Sequence, residues 1–321
     1  MYVRMSGRIL INSASLNAQG TVGNLTEITK LRIVVERNGS YEPIEVSTIS
    51  GNTIKHWHFI HFVNQYLQSG GRKLCSDCIR GISFRTRENR GDDEAEYIRE
   101  CAGEDAHGFL MPERQVRRES LVKFSFLLPA EELFEHPVDT ITHNRVIIDE
   151  KGKIEGQAGM MVFKRQYASG LYGFSCLADI AHLGVRLYSA EKKPVYENDE
   201  RKRRAKSIVL AFIPILNGFL GANISRALPA FQLKELVVAY SENPLPLTTH
   251  GFFKNYVEES IHTIGEYCRG TRCKAYISTY GVEVLEELKK TYEDVIFFET
   301  YSTWQEIFMA LKEHVEKMIT I

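Results

Sequence analysis

The chain has no surplus of charge of either sign and no long apolar run. Its 321 residues include 40 Lys and Arg and 41 Asp and Glu, so any contact with nucleic acid has to come from local clusters of basic side chains. No apolar segment is long enough to span a bilayer, and residues 1–12 alternate like a strand and do not resemble a signal peptide. The sequence therefore predicts a cytoplasmic protein with no membrane partner. Its hydrophobic content of 44% can supply a full core.

Cysteine is also scarce, with six residues in the chain. Without a secretory signal, these are expected as buried thiols or metal ligands before disulfides. Cys268 and Cys273 flank a short Arg-Gly-Thr-Arg segment and could close a small loop. Free thiols remain the expectation for this pair in a reducing cell.

A charged insertion, residues 72–118, has little long-range apolar periodicity and needs another source of stability. Cys75 and Cys78 form a Cys-x2-Cys pair, and Cys101 and His107 follow, which is a ligand set for structural zinc. Four such ligands would stabilise a segment that is too small to have its own core. Ordinary buried thiols are the alternative, because Cys101-x5-His107 is not a usual ligand spacing.

Basic residues end this insertion. Arg114, Arg117 and Arg118 lead into a predicted strand, residues 121–128, which would align them beside a later hairpin and a phosphate backbone. A solvated charged face is the alternative.

Carboxylates are absent from the polar segment 13–24, which follows a first predicted strand at residues 2–12. We predict a loop there, and its Asn, Gln, Ser and Gly residues can donate hydrogen bonds to a phosphate backbone without repelling it. Two strands follow, residues 31–36 and 41–47, and Asn38-Gly39 predicts a tight hairpin between them.

Two helices carry further candidate phosphate contacts. The first is predicted to begin after Ser50 and to stop at Gly70-Gly71. Lys55 and His56 in its first turn could reach a phosphate, because a helix amino-terminus favours anions, although a solvated turn is the alternative. The second begins at Asp199 and runs into a glycine-containing turn where Arg226 could clamp a phosphate. That turn lacks the Gly-Lys-Ser/Thr ending of a Walker loop.

The rest of the chain is predicted as a strand at residues 231–239, a helix at 252–267 and a tail at 274–321. The tail is predicted to form a strand, a helix, a strand and a helix, and no binding or catalytic site is evident in its sequence.

The alternating apolar pattern of residues 139–177, interrupted by a polar turn, predicts a projecting hairpin with an apolar tip. Met160 and Met161 lie near the tip between polar turns, where a water-soluble chain does not normally expose such residues. Bases of a single strand could cover them, because thioethers stack on any base while Lys164 and Arg165 meet phosphates. A core strand pair whose methionines fill gaps is the alternative.

Several unusual short sequence motifs occur in order over residues 1–256. They are SLNAQG at 15–20, Gly-Asn-x-x-Lys-His-Trp-His at 51–58, Asp-Ala-His-Gly-Phe at 105–109, His-Asn-Arg-Val at 143–146, residues 167–174, and Gly-Ala-Asn at 221–223 through Arg226. Together they resemble the archaeal DevR-like backbone subunit of type I-A CRISPR Cascade, in the RAMP superfamily.

The resemblance implies an α+β fold in which a palm like an RNA-recognition motif (ferredoxin-like) carries an inserted fingers region and a β-hairpin thumb. It implies one domain over 1–321, with fingers in 55–118 and a thumb in 139–177. The cysteine spacing, and not the resemblance, predicts a zinc knuckle in 55–118, and the order of elements in the tail predicts a C-terminal β/α extension in 274–321. Copies would stack head to tail on a guide crRNA with other Cascade subunits and present the guide to target DNA. The residues it places on RNA are Asn17, Gln19, Lys55, His56, His143, Asn144, Arg145 and Arg226 in the palm groove, and Met160 and Met161 at the thumb tip.

A RAMP-type endoribonuclease that cleaves CRISPR or target RNA is the alternative function, because relatives cut RNA with an acidic residue near the start or with a histidine. Nothing acidic occurs from Met1 to Thr26, and metal-assisted cutting needs a carboxylate near the scissile phosphate. His56 and His143 have no obvious acid partner. We therefore expect a protein without catalytic activity. A transcriptional regulator ranks last, because no helix-turn-helix with a basic recognition helix is evident.

Overall fold

The structure is a computed structural model that describes residues 1–82, 88–135, 137–146, 150, 152, 160–221, 224 and 227–319. For Arg145, Met160 and Met161 it describes the backbone and not the side chain. Strands and helices are mixed along the chain, which confirms the α+β class.

The strands are β1 (Tyr2–Ala14), β2 (Ala18–Val22), β3 (Leu25–Ile28), β4 (Lys30–Arg37), β5 (Ser40–Ser47), β6 (Phe109–Met111), β7 (Val116–Arg118), β8 (Val122–Phe124), β9 (Leu128–Pro129), β10 (Val138–Val146), β11 (Met160–Ala178), β12 (Ala230–Ser241), β13 (Ala275–Tyr280) and β14 (Ile296–Glu299). The helices are α1 (Gly51–Gln68), α2 (Ser76–Ile79), α3 (Glu94–Glu100), α4 (Ala102–His107), α5 (Asn198–Leu216), α6 (Tyr256–Thr271), α7 (Glu286–Tyr292) and α8 (Trp304–Met318). None of these described helices has the length and apolar character needed to cross a bilayer.

One large sheet organises the fold, with strands in the order β14-β13-β12-β1-β11-β3-β2, and β8, β9 and β10 pair with β11 beside this path. β1 lies at the centre and is antiparallel to β11 and to β12, so that Met5 pairs with both Cys176 and Val238. β11 has 19 residues. Its second half pairs with β1 and its first half with β10, so this strand carries the chain from the sheet into a hairpin.

Helices cover both faces of the sheet. Successive side chains of a strand point to opposite faces, and β12 shows the result, because Leu236 and Val238 enter one core while Val237 and Ala239 enter another. The first core contains side chains of α1, α5 and α8, and the second contains side chains of α6 and α7. The tail therefore adds two strands to the sheet and one helix to each core.

The segment before α6 crosses directly over the sheet face opposite α1. A Cβ on Gly173 would lie 2.1 Å from the carbonyl carbon of Gly251, and one on Gly251 would lie 2.2 Å from the Gly7 oxygen. Larger side chains would push the segment away from the sheet. The buried guanidinium of Arg8 holds it by donating to the Gly251 oxygen at 2.8 Å and by pairing with Glu132. This part of the sheet face is therefore closed by the chain itself.

Local patterns predicted several elements correctly. Asn38 and Gly39 both adopt positive φ in the turn between β4 and β5, as an Asn-Gly hairpin requires. The Ser50 side chain accepts a hydrogen bond from the Thr53 N–H and caps α1. In the tail, β13, α7, β14 and α8 follow the predicted order.

Three local predictions are wrong. The polar segment 13–24 is not a loop throughout, because Ala18–Val22 forms β2 against β3. The strand predicted over 121–128 is two short strands, β8 and β9, which pair with different parts of β11. Cys268 and Cys273 form a disulfide instead of free thiols, because Arg272 adopts a left-handed conformation and turns the chain back after α6.

Candidate nucleic-acid interface

The amino-terminus of α1 is fixed to the loop that follows β1. The Asn17 side-chain oxygen accepts a hydrogen bond from the Ser50 N–H at 2.8 Å, and the Asn17 amide donates to the Thr53 hydroxyl. Lys55 and His56 follow in the first turns and are half-buried. The Asn17 side chain, predicted to contact RNA, is thus used within the chain to position the helix that carries Lys55 and His56.

The glycine-containing turn after α5 packs on the same helix. A Cβ on Gly221 would lie 1.6 Å from Trp57 Nε1, so only glycine fits against this indole. One helical turn later, His61 Nε2 donates to the Phe219 oxygen at 3.0 Å, and burial lowers the pKa of His61. Arg226 lies outside the described residues. The described part of this turn therefore lies beside the first half of α1.

The predicted pairing within residues 139–177 is present as β10 and β11. Val146 and Val162 near the far end of the hairpin are 46% and 45% exposed, and Ile141 is 47% exposed. A core strand pair would bury such side chains. The side chains of Arg145, Met160 and Met161 lie outside the described part of the chain, as do residues 147–149, 151 and 153–159 of the tip between the two strands.

A ring stack lies on one face of this hairpin. His143 pairs with Phe163, and their ring centroids are 5.3 Å apart with the planes 19° from parallel. The Tyr167 hydroxyl lies 3.0 Å from His143 Nε2. Asn144 is exposed on the opposite face, because adjacent strand residues alternate. His143 and Asn144, both predicted RNA contacts, therefore do not face the same side.

The β2–β3 hairpin connects this region to the loop after β1. β3 pairs in parallel with β11 at Lys164 and Arg165, and the Lys164 N–H donates to the Asn24 oxygen at 2.7 Å. The Gln19 side-chain oxygen accepts from the Lys30 N–H at 3.1 Å. The chain from Asn17 to β3 thus joins the start of α1 to the base of the β10–β11 hairpin.

The basic run at the end of the charged insertion does not form one surface. Arg114 is exposed and lies 3.4 Å from Asp92. Arg117 is exposed, and its guanidinium lies 5.1 Å from the centre of the Tyr188 ring. Both are available to a ligand, but each already has a partner within the chain.

Arg118 is buried, so its prediction as an RNA contact is wrong. Its guanidinium pairs with Glu94 and, at 2.8 Å, with Asp105. Arg204 of α5 lies 3.0 Å from the other Asp105 oxygen and 2.7 Å from Glu200. The side chains of Arg118, Asp105 and Arg204 are 0% exposed. Sequence analysis missed this network, because a buried arginine has no local signature that separates it from a surface one.

Three cysteines of the charged insertion meet in its interior. The sulfurs of Cys75, Cys78 and Cys101 all lie within 4.8 Å of one another, and those of Cys101 and Cys78 are 3.5 Å apart. A Cβ on Gly103 would lie 2.7 Å from the Cys78 sulfur, so the surrounding chain packs tightly on the cluster. Hydrogen bonds from the other two thiols lower the pKa of Cys75. These three sulfurs could hold a metal ion.

His107, predicted as the fourth ligand, is not part of this cluster, and that prediction is wrong. His107 Nε2 lies 2.9 Å from His58 Nδ1, and His58 Nε2 donates to the Ile208 oxygen at 3.1 Å. Because His58 Nε2 carries the ring proton, His58 Nδ1 accepts a hydrogen bond from His107 Nε2. Burial lowers the pKa of His58 to about 3. This histidine pair links α1, α4 and α5.

Comparison with known proteins identifies the family. Residues 5–261 match the model of the family described as CRISPR-associated negative auto-regulator DevR/Csa2. This chain belongs to the DevR/Csa2 family. A relative from Methanocaldococcus jannaschii, CRISPR-associated protein Cas7/Cst2/DevR, is 44% identical over 284 residues, which cover 82% of this chain and 88% of the relative. The resemblance to the DevR-like family, inferred from short sequence motifs, is therefore confirmed.

Other DevR/Csa2 relatives are more distant but also match along most of their length. Cas7/Cst2/DevR of Thermoproteus tenax is 35% identical over 295 residues, covering 88% of this chain and 87% of the relative. The CRISPR-associated aCascade subunit Cas7/Csa2 2 of Saccharolobus solfataricus is 28% identical over 316 residues, which cover 91% of this chain and 97% of the relative.

A solved chain of a CRISPR RNA-guided surveillance complex, pre-nicking, superposes with a TM-score of 0.50 at 10% identity over 98% of this chain and 100% of that one. At this identity the likeness shows the fold alone.

Proposed function

We propose that this chain is a crRNA-binding, head-to-tail oligomerising backbone subunit of a type I-A CRISPR interference (Cascade) complex that displays the guide for pairing with target DNA. The observation that carries the proposal is the arrangement around β11. One strand joins the central sheet to an exposed hairpin, and the segment after β1 links the base of that hairpin to the start of α1. The aCascade subunit among the relatives supports the same assignment.

We assign β12, β1, β11 and β8, with α1 and α5, to a palm like an RNA-recognition motif. The strands are adjacent in this order, and both helices contribute to the same core. The β10–β11 hairpin would be the thumb, and residues 274–321 the C-terminal extension. The fingers, predicted over 55–118, would begin after α1, because α1 packs in the core of the palm.

RNA in this proposal follows the hairpin and the start of α1, since the chain itself covers the opposite sheet face near β1. Lys55 and Lys164 would contact phosphates, and such contacts do not depend on base sequence. The Watson–Crick edges of the guide stay free to pair with target DNA.

Footprinting tests this function. Purified protein is mixed with a labelled single-stranded guide RNA long enough for several copies, and nuclease protection is mapped while salt is varied. We expect evenly repeated protection and a linear fall of log K with log salt concentration. A single protected patch would indicate a monomeric binder, and absence of binding at low salt would refute the proposal.

We further propose that the chain binds RNA without cleaving it. The first 26 residues, which include β1 and β2, contain no carboxylate to hold a metal ion at a phosphate. Incubation with labelled guide and target RNA in Mg²⁺ should leave both intact, and cuts at regular spacing would favour the endoribonuclease alternative.

We propose zinc as the metal of the cysteine cluster. Tetrahedral zinc–thiolate bonds of ~2.3 Å place sulfurs ~3.8 Å apart, which is close to the 3.5 Å between Cys101 and Cys78. Among the described residues no fourth side chain joins Cys75, Cys78 and Cys101, and the neighbouring sequence 83–87, Ser-Phe-Arg-Thr-Arg, contains no usual zinc ligand. Metal analysis of protein purified without chelator should find about one zinc per chain.

A further inference from the structure

Arg165 is half-buried and has no carboxylate partner among the residues that the structure describes. It lies on β11 at the base of the hairpin, between Ile141 of β10 and Thr26 of β3. Its Nε and Nη1 atoms are buried and have no hydrogen-bond partner in the described part of the chain. Within the part of the chain that the structure describes, no carboxylate lies within ion-pair distance of this guanidinium.

The fully buried arginines in the described part of the chain are paired. Arg8 has Glu132, Arg118 has Glu94 and Asp105, and Arg204 has Asp105 and Glu200, each as an ion pair. Burying two of the three nitrogens of a guanidinium without an acceptor is unfavourable, because these nitrogens lose their water and gain no hydrogen bond in return. An acceptor from outside the chain would remove this penalty for Arg165.

The surroundings of Arg165 indicate the kind of acceptor. Residues two apart on a strand share a face, so Arg165 lies on the same face as Phe163 and Tyr167, one residue pair from the His143–Phe163 ring stack. A guanidinium suits a phosphate, and aromatic rings suit bases. Asp139, paired with Tyr167, is the nearest carboxylate on this face by strand register and makes no ion pair with Arg165 among the described contacts.

We propose that Arg165 binds a phosphate of single-stranded RNA at the base of the hairpin, with the adjoining base stacked against the His143–Phe163 pair. The inference rests on the proposed function and names a phosphate contact that this function needs. It also gives a reason for the unpaired guanidinium: its counter-ion belongs to the ligand.

The variant Arg165→Met tests this proposal through two quantities, the RNA affinity and the melting temperature, of which only the affinity should decrease. RNA affinity should fall by about tenfold or more, and the slope of log K against log salt should become shallower by about one. The melting temperature of the RNA-free protein should equal or exceed that of the wild type, because an apolar side chain replaces a partly buried guanidinium whose Nε and Nη1 have no acceptor among the described residues.

Two further variants separate charge from geometry. Arg165→Lys keeps the charge and should keep the salt slope, while it loses part of the affinity because lysine cannot make the paired contacts of a guanidinium. Arg269→Met is the matched control, because Arg269 is exposed and is already paired with Asp294 at 3.0 Å. It should leave RNA affinity and slope unchanged.

The outcomes distinguish the inference from the proposed function. If the wild type binds RNA and Arg165→Met binds it with the same affinity and slope, the inference is wrong and the function stands. If the wild type does not bind RNA, the function fails and the inference fails with it. A lower melting temperature in both Arg165 variants, together with weaker RNA binding, would mean that Arg165 supports the fold, and this too would overturn the inference.

Discussion

Asp105 should be among the most sensitive positions for stability. Its two carboxylate oxygens meet Arg118 at 2.8 Å and Arg204 at 3.0 Å in a site with no exposed surface. Tyr196 donates to the same carboxylate, and the Gly184 N–H donates at 3.1 Å. Asp105→Asn keeps the shape of the side chain but removes the charge that balances two buried cations.

The magnitude follows from the burial. Removing one partner of a buried ion pair costs about 3–5 kcal/mol, because the other charge stays buried without compensation. Unfolding entropy of about 2.1 cal/mol/K per residue gives this 321-residue chain about 0.7 kcal/mol/K, so the melting temperature should fall by about 4–7 °C. Arg118 and Arg204 keep Glu94 and Glu200 as partners, which favours the lower end of that range.

Thermal unfolding followed by circular dichroism measures the effect, and Asp294→Asn is the control. Asp294 also pairs with an arginine, Arg269, but its side chain is 56% exposed, and exposed pairs contribute about 0–1 kcal/mol. Equal melting temperatures for Asp105→Asn and the wild type would refute the reasoning, as would a loss in Asp294→Asn of the same size.

Three further predictions concern pH, metal and RNA. Burial lowers the pKa of His58 from 6.5 to about 3. Between these two values the His58 imidazole binds a proton in the unfolded chain but not in the folded one, so the folded state loses stability as the pH falls. The free energy of unfolding should therefore decrease by about 2–3 kcal/mol between pH 6.5 and 4.5. Denaturant titrations should show a smaller loss for His58→Gln. Cys101→Ser should abolish zinc binding, and chelation should lower the melting temperature of the wild type and not of this variant. Phe163→Ala should weaken RNA binding by about 1–3 kcal/mol without changing the salt slope, because stacking on a base involves no phosphate.

The sequence by itself determined what depends on neighbours in the chain. Asn38-Gly39 produces its hairpin, Ser50 caps α1 and the alternating tail forms its strands and helices, because dihedral preferences, caps and periodicity act over a few residues. The short sequence motifs were also sufficient to recognise the family that the comparisons confirm. Cys75, Cys78 and Cys101 were correctly grouped from spacing.

Only the tertiary structure decided which of these side chains have partners. Met5 meets Val238 and Arg118 meets Asp105 through pairings that close long loops, and no local pattern encodes them. Such pairings bury Arg118 and place His107 against His58 instead of among the cysteines. They also leave two guanidinium nitrogens of Arg165 buried beside the hairpin, with no carboxylate partner among the described residues. A charged side chain has the same appearance in a sequence whether it is buried or solvated, and the free energy of its surroundings, which sets its role, exists only once distant strands are paired.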